Sequence, residues 1–435
     1  MGRKTKTTSS GPQQQGGLAQ WLFENQTSLS FSIVAGLLTA HTCLPQARSF
    51  TSRFVTLSGF NPKTGKYAIG HDDLYFVLFC IVLFTGIRAG SMRYILAPFA
   101  RRWGISKEKT ANRFSEQGWM ILYNAVFWTT GMYIYTHSPH YLNLQELWTD
   151  WPQRELDGLM KRYILAQWAY WTQQLIVVNI EARRHDYNQM IVHHFTTIAL
   201  IGSAYAYHHT RVTNLIMVLM DVIELIFPVA KCLKYLGFTT LCDVIFGIFM
   251  ITWLFTRHIF YMMATWSAYN DSPRLMPSAC WNGTQGNLEG PLPVPTSGWS
   301  HLFEPFRDPK GTVCMNDNLR VGFVVYLLVL QCVMIVWSAA IVRVAVKVLS
   351  GENADDVRSD DDSDEIEDQL DVEVVESEKA HLLEEEVGVE AIDFDVWKRR
   401  TGVKGGTSRS SGVRVPGHSD RKELLNRIGC EKQID

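Results

Sequence analysis

Eight apolar stretches of near-membrane length divide this chain, at about 28–45, 73–92, 118–136, 159–179, 189–207, 212–232, 240–264 and 319–347. The hydrocarbon core of a bilayer is about 30 Å thick and takes about 20 apolar helical residues to cross. Inside it no water can satisfy a backbone N–H or C=O, so each stretch must close its hydrogen bonds within a helix. The expected fold is therefore all-α, a polytopic membrane helix bundle of about eight transmembrane helices between disordered polar tails. Stretch 159–179 is the least apolar, because Gln167, Gln173 and Gln174 dilute it. Such a composition suits a helix enclosed by other helices.

Basic residues orient the bundle, since Lys and Arg collect on the cytosolic side. Arg101, Arg102, Lys107, Lys109 and Arg113 follow the second stretch, Arg183 and Arg184 precede the fifth, Lys231 and Lys234 end the sixth, and Arg343 and Lys347 end the eighth. Both termini are then cytosolic, although the first loop on the opposite side also carries Arg48, Arg53, Lys63 and Lys66. The loop at about 266–317 falls on that opposite side. It holds the sequon Asn282-Gly283-Thr284 and two cysteines, Cys280 and Cys314. Glycosylation at Asn282 and a Cys280–Cys314 disulfide are expected there, because that compartment is oxidising. The sequon Asn25-Gln26-Thr27 should stay unused. The 8 Cys form no CxxC pair, which argues against zinc or thioredoxin-type chemistry. No cleavable signal peptide is evident, and Lys6 breaks the myristoylation pattern at the start. Four regions follow: a polar cytosolic segment 1–27, two spans with a basic loop 28–109, a six-span domain 110–348, and a tail 349–435. The tail is acidic and then basic, and that composition cannot bury a core. Ser359 and Ser363, set among acids, are candidate phosphorylation sites.

Ionisable residues inside a span are costly and mark functional sites by default. His193 and His194 lie one turn inside the fifth stretch, and Asp221 and Glu224 lie one turn apart in the sixth. At 100° per residue, Asn214, Met217, Asp221, Glu224, Pro228 and Lys231 form one stripe of the sixth helix. His194, Thr197 and Ile201 share a face of the fifth, with His193, Thr196 and Leu200 about 100° away. Gln167, Tyr170 and Gln174 form a third stripe on the fourth. Three polar stripes imply a polar chamber in an apolar shell, reached from the cytosol by a substrate head whose tail runs deeper. Paired histidines beside an acid suit general acid–base or nucleophilic catalysis. A metal is not expected, because His193 and His208 lie 15 residues, roughly 22 Å, apart on one helix. Arg101, Arg102, Lys107, Arg183, Arg184 and Lys231 form a basic cytosolic rim, where cations could hold phosphates. Asp186, a further candidate for substrate binding, sits at the cytosolic end of the fifth helix.

Four groups of residues resemble the ceramide synthase branch of the TLC-domain family, above all its fungal members. They are Arg183-Arg184-His185-Asp186-Tyr187, His193-His194-Phe195-Thr196-Thr197, Met220-Asp221, and Ala230-Lys231-Cys232-Leu233-Lys234-Tyr235-Leu236. The wider domain would cover about 110–348. The resemblance implies an endoplasmic reticulum acyltransferase that joins a long or very-long-chain fatty acyl-CoA to a sphingoid base, with no cofactor. It implies two essential histidines, carried by His193 and His194. It implies an Asp-x-x-Asp pair, here Asp221 and Glu224. Glu224 departs from that pattern, and the homeobox-like insert of many animal members is missing. A small single-span subunit or a homodimer is the partner such relatives suggest. In the expected mechanism one histidine is the base. The other donates to the oxyanion or accepts the acyl group, and Asp221 orients an imidazole. A non-catalytic lipid-sensing or translocation-associated TLC protein is the competing reading. A proton-coupled transporter is a weaker one, because no internal repeat is visible.

Overall fold

The computed structural model describes residues 17–180, 187–295 and 298–349. Among them are eight long helices: α1 Gly17–Cys43, α2 Asp73–Arg102, α3 Glu108–Thr136, α4 Gly158–Ile180, α5 Tyr187–Ala206, α6 Thr210–Tyr235, α7 Thr239–Asn270 and α8 Asp317–Leu349. Each overlaps one apolar stretch. By length and composition α2, α7 and α8 can cross a membrane. The other five have the length, but more polar side chains dilute them. In α3–α6 many of those side chains turn inward: Gln117, Asn124, Gln167, Gln173, His193 and Asn214 are all buried. Apolar side chains such as Leu78, Ile251 and Val336 are instead exposed, the reverse of a water-soluble bundle. Arg183, Arg184, Asp186 and the tail from 350 lie outside the described residues.

Two features bring α3 and α6 into close contact. A Cβ on Gly131 would lie 2.5 Å from Tyr163 Oη and 3.1 Å from Val218 Cγ2, so only glycine fits. Pro228 has no N–H, which leaves the carbonyl of Glu224 without its helical donor. Asn124 Nδ2 supplies that bond at 3.2 Å. Two residues before Tyr163 on α4, a buried ion pair joins α2 to α4, with Lys161 Nζ 2.7 Å from Asp73 Oδ1. Tyr205 of α5 donates to the same carboxylate at 2.8 Å. Two helices contain π-helical turns, Met92–Leu96 in α2 and Leu254–Phe260 in α7. The second holds Arg257 inside the bundle.

The connections α1–α2, α3–α4, α5–α6 and α7–α8 meet at one end in a hydrogen-bonded cap. Strands β1 Phe60–Asn61, β2 Lys66–Ala68 and β3 Glu155–Leu156 form one antiparallel sheet across the first two connections. Strands β4 Cys280–Thr284, β5 Asn287–Leu292 and β6 Val313–Cys314 form another in the last, in the order β5-β4-β6. Cys280 and Cys314 are joined by a disulfide. Arg154 ties the cap together, donating to the carbonyls of Trp281 at 2.9 Å, Gly311 at 2.8 Å and Pro309 at 3.2 Å. The expectation of an all-α chain is thus corrected to a mostly helical one. Outside the hydrocarbon, extended segments can pair with one another without lipid exposing their edges.

Candidate active site

Five helices, α4 to α8, converge on the histidine pair. A cavity runs between them, walled mainly by Leu, Ile, Val, Met and aromatic side chains. Its charged and imidazole groups gather at two ends, His193, Glu224 and Arg257 at one and His209 and Arg320 at the other. Trp337 meets His193, with ring centroids 5.0 Å apart, and Phe323 meets His209 at 5.2 Å. Those two aromatic residues are fourteen positions apart on α8, roughly 21 Å of helix. One leaflet is about half of the 30 Å hydrocarbon core. Along α6 the cavity wall itself runs from Val212 to Glu224, roughly 18 Å, so the cavity is deeper than a leaflet.

The stripe of α5 that faces the cavity is His193, Thr197, Leu200, Ile201 and Ala204, at steps of 4, 3, 1 and 3. His193 and Thr197 therefore share the functional face, and His194 stands behind it. Trp171 of α4 packs on both imidazoles, at 5.5 Å from His193 and 5.4 Å from His194. Both nitrogens of His194, Nδ1 of His193 and Oγ1 of Thr197 are enclosed without a hydrogen-bond partner among the described residues. His193 Nε2 is thus the ring nitrogen left for the cavity. A cluster of unpaired polar atoms in a lipid-embedded bundle is costly to retain.

The two acids have separate surroundings. Asp221 is buried and accepts from Gln167 Nε2, whose Oε1 accepts in turn from Tyr123 Oη at 2.8 Å. It makes no hydrogen bond to either histidine, so the expected direct orienting contact is not formed. Glu224 lines the cavity with its side chain 30% exposed, enough to meet a ligand. Arg257 Nη2 lies 3.4 Å from Glu224 Oε1 and donates to the Met220 carbonyl at 3.0 Å. Its guanidinium also sits over Trp253, 5.0 Å from the ring centroid.

Other expected site residues lie off the cavity wall. Tyr170 is stacked on Tyr123 at 3.5 Å. Gln174 is half-buried on the same helix. Asn214 is engaged by His140 Nε2 at 3.2 Å and donates to the Gly131 carbonyl at 3.2 Å, which makes it a pin between helices. Lys231 lies 4.7 Å from the Phe227 ring centroid at the end of α6 away from the cap. Asn282 is half-buried on β4, the middle strand of its sheet. Spacing arguments pass over Arg257, although an ionisable residue inside stretch 240–264 is itself a signal. Trp171 and Trp337 carry no such signal, because an aromatic in an apolar helix is ordinary.

The sequence profile of the TLC domain matches residues 113–343. The ceramide synthase FUM18 of Gibberella moniliformis is 53% identical over 336 residues, which cover 77% of this chain and 78% of that one. The sphingosine N-acyltransferase lag1 of Schizosaccharomyces pombe is 34% identical over 342 residues, 78% of this chain and 80% of the relative. The ceramide synthase LAG1 of Saccharomyces cerevisiae is 32% identical over 221 residues, 50% of this chain and 54% of the relative.

Proposed function

The chain belongs to the ceramide synthase branch of the TLC-domain family, and from that premise we propose that it N-acylates a sphingoid base with a long or very-long-chain fatty acyl-CoA. One observation carries the reading: His193 stands in the wall of an apolar cavity that runs along α6 from Val212 to Glu224, roughly 18 Å. A thioester at the His193 end can lay its acyl tail along the cavity toward His209. A long-chain ammonium has a pKa near that of lysine, about 10.4, so a base must hold the amine neutral as it attacks. The imidazole of His193 is that base, or the acyl acceptor in a covalent route. Asp221 supports the site from behind the wall, held by Gln167 without touching an imidazole. Glu224 faces the incoming amine. No cofactor is needed, because the thioester is itself an activated acyl donor.

In this reading all eight helices cross the endoplasmic reticulum membrane, with both termini cytosolic and the cap in the lumen. Inward-turned polar residues in α3–α6 support spans that composition alone misses. A lumenal cap suits the Cys280–Cys314 disulfide and glycosylation at Asn282. The CoA phosphates enter from the cytosolic side, and Arg183, Arg184 and Lys231 are the cations assigned to meet them, the first two from the sequence alone. A small single-span subunit or a second copy of the chain is its partner in the membrane. The test is amide formation by the purified full chain in nanodiscs from a sphingoid base and acyl-CoA of several lengths. Product is expected. A folded protein that yields none, even with its co-purifying subunit, contradicts the reading and favours a non-catalytic lipid protein.

A further inference from the structure

We infer that Arg257 binds the carbonyl oxygen of the thioester and stabilises the oxyanion that forms there. The inference rests on the N-acylation reading and assigns to Arg257 the role that a second histidine would otherwise fill. His194 is poorly placed for it, because the imidazole lies behind the cavity wall. Arg257 also lines the wall, and it meets Met334, one turn of α8 from the Trp337 that meets His193, so the two share an end of the cavity.

A fully buried guanidinium in a membrane helix is expensive unless its donors are used. Those of Arg257 are only partly used. Nη2 carries both oxygen contacts, to Met220 and to Glu224. Nη1 has only the Met334 thioether, at 3.8 Å, a weak acceptor. Nε is enclosed with no partner among the described residues. A salt bridge kept for structure alone would be expected to use the bidentate fork. The contact here is single and long. The π-helical turn of α7 holds this part-satisfied cation against the cavity, and such turns recur at functional sites.

The chemistry balances without another reactant. In the direct route the amine nitrogen bonds to the thioester carbon and the C=O electron pair moves onto oxygen beside Arg257. The pair returns as the C–S bond breaks, and the thiol leaves with the proton that the amine gave up through the imidazole. In the covalent route the His193 nitrogen adds first, and the thiol leaves with the imidazole proton, giving an acyl-imidazole. The amine then adds to the same carbonyl, and the imidazole leaves with the amine's proton. The oxyanion forms beside Arg257 in every addition, and the amide is the product of both routes. A preorganised donor at that oxygen lowers the barrier while leaving ground-state binding nearly unchanged.

The test uses the full chain in nanodiscs and two measurements, steady-state N-acylation and binding of an S-alkyl-CoA thioether, which lacks the thioester carbonyl. Arg257→Gln is expected to lose about 10²–10³-fold in kcat while thioether affinity stays near wild type. Arg257→Lys keeps the charge without the fork, and should retain at least about tenfold more kcat than Arg257→Gln. Three results overturn the inference: unchanged kcat in Arg257→Gln, loss of thioether affinity in step with kcat, or a Lys variant no better than Gln. A wild-type protein that makes no amide at all overturns the acyltransferase reading, and this inference with it.

Discussion

His193 and His194 are consecutive, so their side chains leave α5 about 100° apart and meet different neighbours. The sequence marks both as unusual and cannot say which one faces the cavity. A helical wheel fixes the angle between residues, and neighbouring helices decide where that angle points. That is why His193 pairs with Thr197 on the wall, and why Asp221 is held by Gln167 on another side of α6. Arg257 was legible in principle as a charge inside a span. Its place beside Glu224 needed the π-helical turn, which no spacing reveals. His208 belongs to the cap. It adopts a left-handed φ of 58° between α5 and α6, with Nε2 3.3 Å from Arg154 Nη1. Burial pushes its imidazole down to about 3, and the charge of Arg154 adds to that. An unfolded imidazole takes up a proton near 6.5, well before the folded one does. The unfolded state therefore binds more protons below about pH 6.5, and stability falls from there toward pH 3. Asparagine tolerates the left-handed region. Thermal melts of His208→Asn should lose less Tm than wild type between about pH 7 and pH 5. An identical slope would remove His208 from the account.

All eight helices were legible as elements, because a lipid-embedded segment must be both apolar and helical. Their ends were not. The expected 73–92 becomes Asp73–Arg102, and 240–264 becomes Thr239–Asn270. Composition marks the part in hydrocarbon, while the helix continues into the interface. The two small sheets were missed, since their strands are short and lie in polar loops. Close packing of α3 on α6 depends on Gly131, so Gly131→Val should destabilise the bundle by about 1–3 kcal/mol through overpacking. Denaturation in detergent checks this, and an unchanged Tm would mean that Tyr163 and Val218 give way. Ala204 lines the cavity eleven residues beyond His193, about 16 Å along α5. Ala204→Phe should block the far part of the cavity. Turnover of the longest acyl-CoAs should fall by tenfold or more, about 1.4 kcal/mol, while shorter chains keep their rate. Equal effects at every length would place the acyl tail elsewhere.

Taken whole, the described helices expose apolar side chains and bury a polar minority among apolar ones, an order that the formal net charge of -2 hides. The membrane class and the region holding the site were readable, because charge and hydropathy are sharply segregated along the sequence. The depth of the cavity and the cap that closes its far side were not, because both depend on contacts between distant loops. In the proposed topology the cap is lumenal, so a glycosidase should shift the mass of the cell-expressed protein and leave Asn282→Gln unchanged. A cytosolic cap would give no shift in either. The account's central claim is that amide formation takes place at His193 within the cavity. Its most direct test compares N-acylation by wild type and His193→Ala, both purified in nanodiscs and matched for thermal stability. The account predicts amide from wild type and a loss of about 10³-fold or more in the variant, consistent with removal of a base or nucleophile. A folded His193→Ala protein that acylates at the wild-type rate would contradict it.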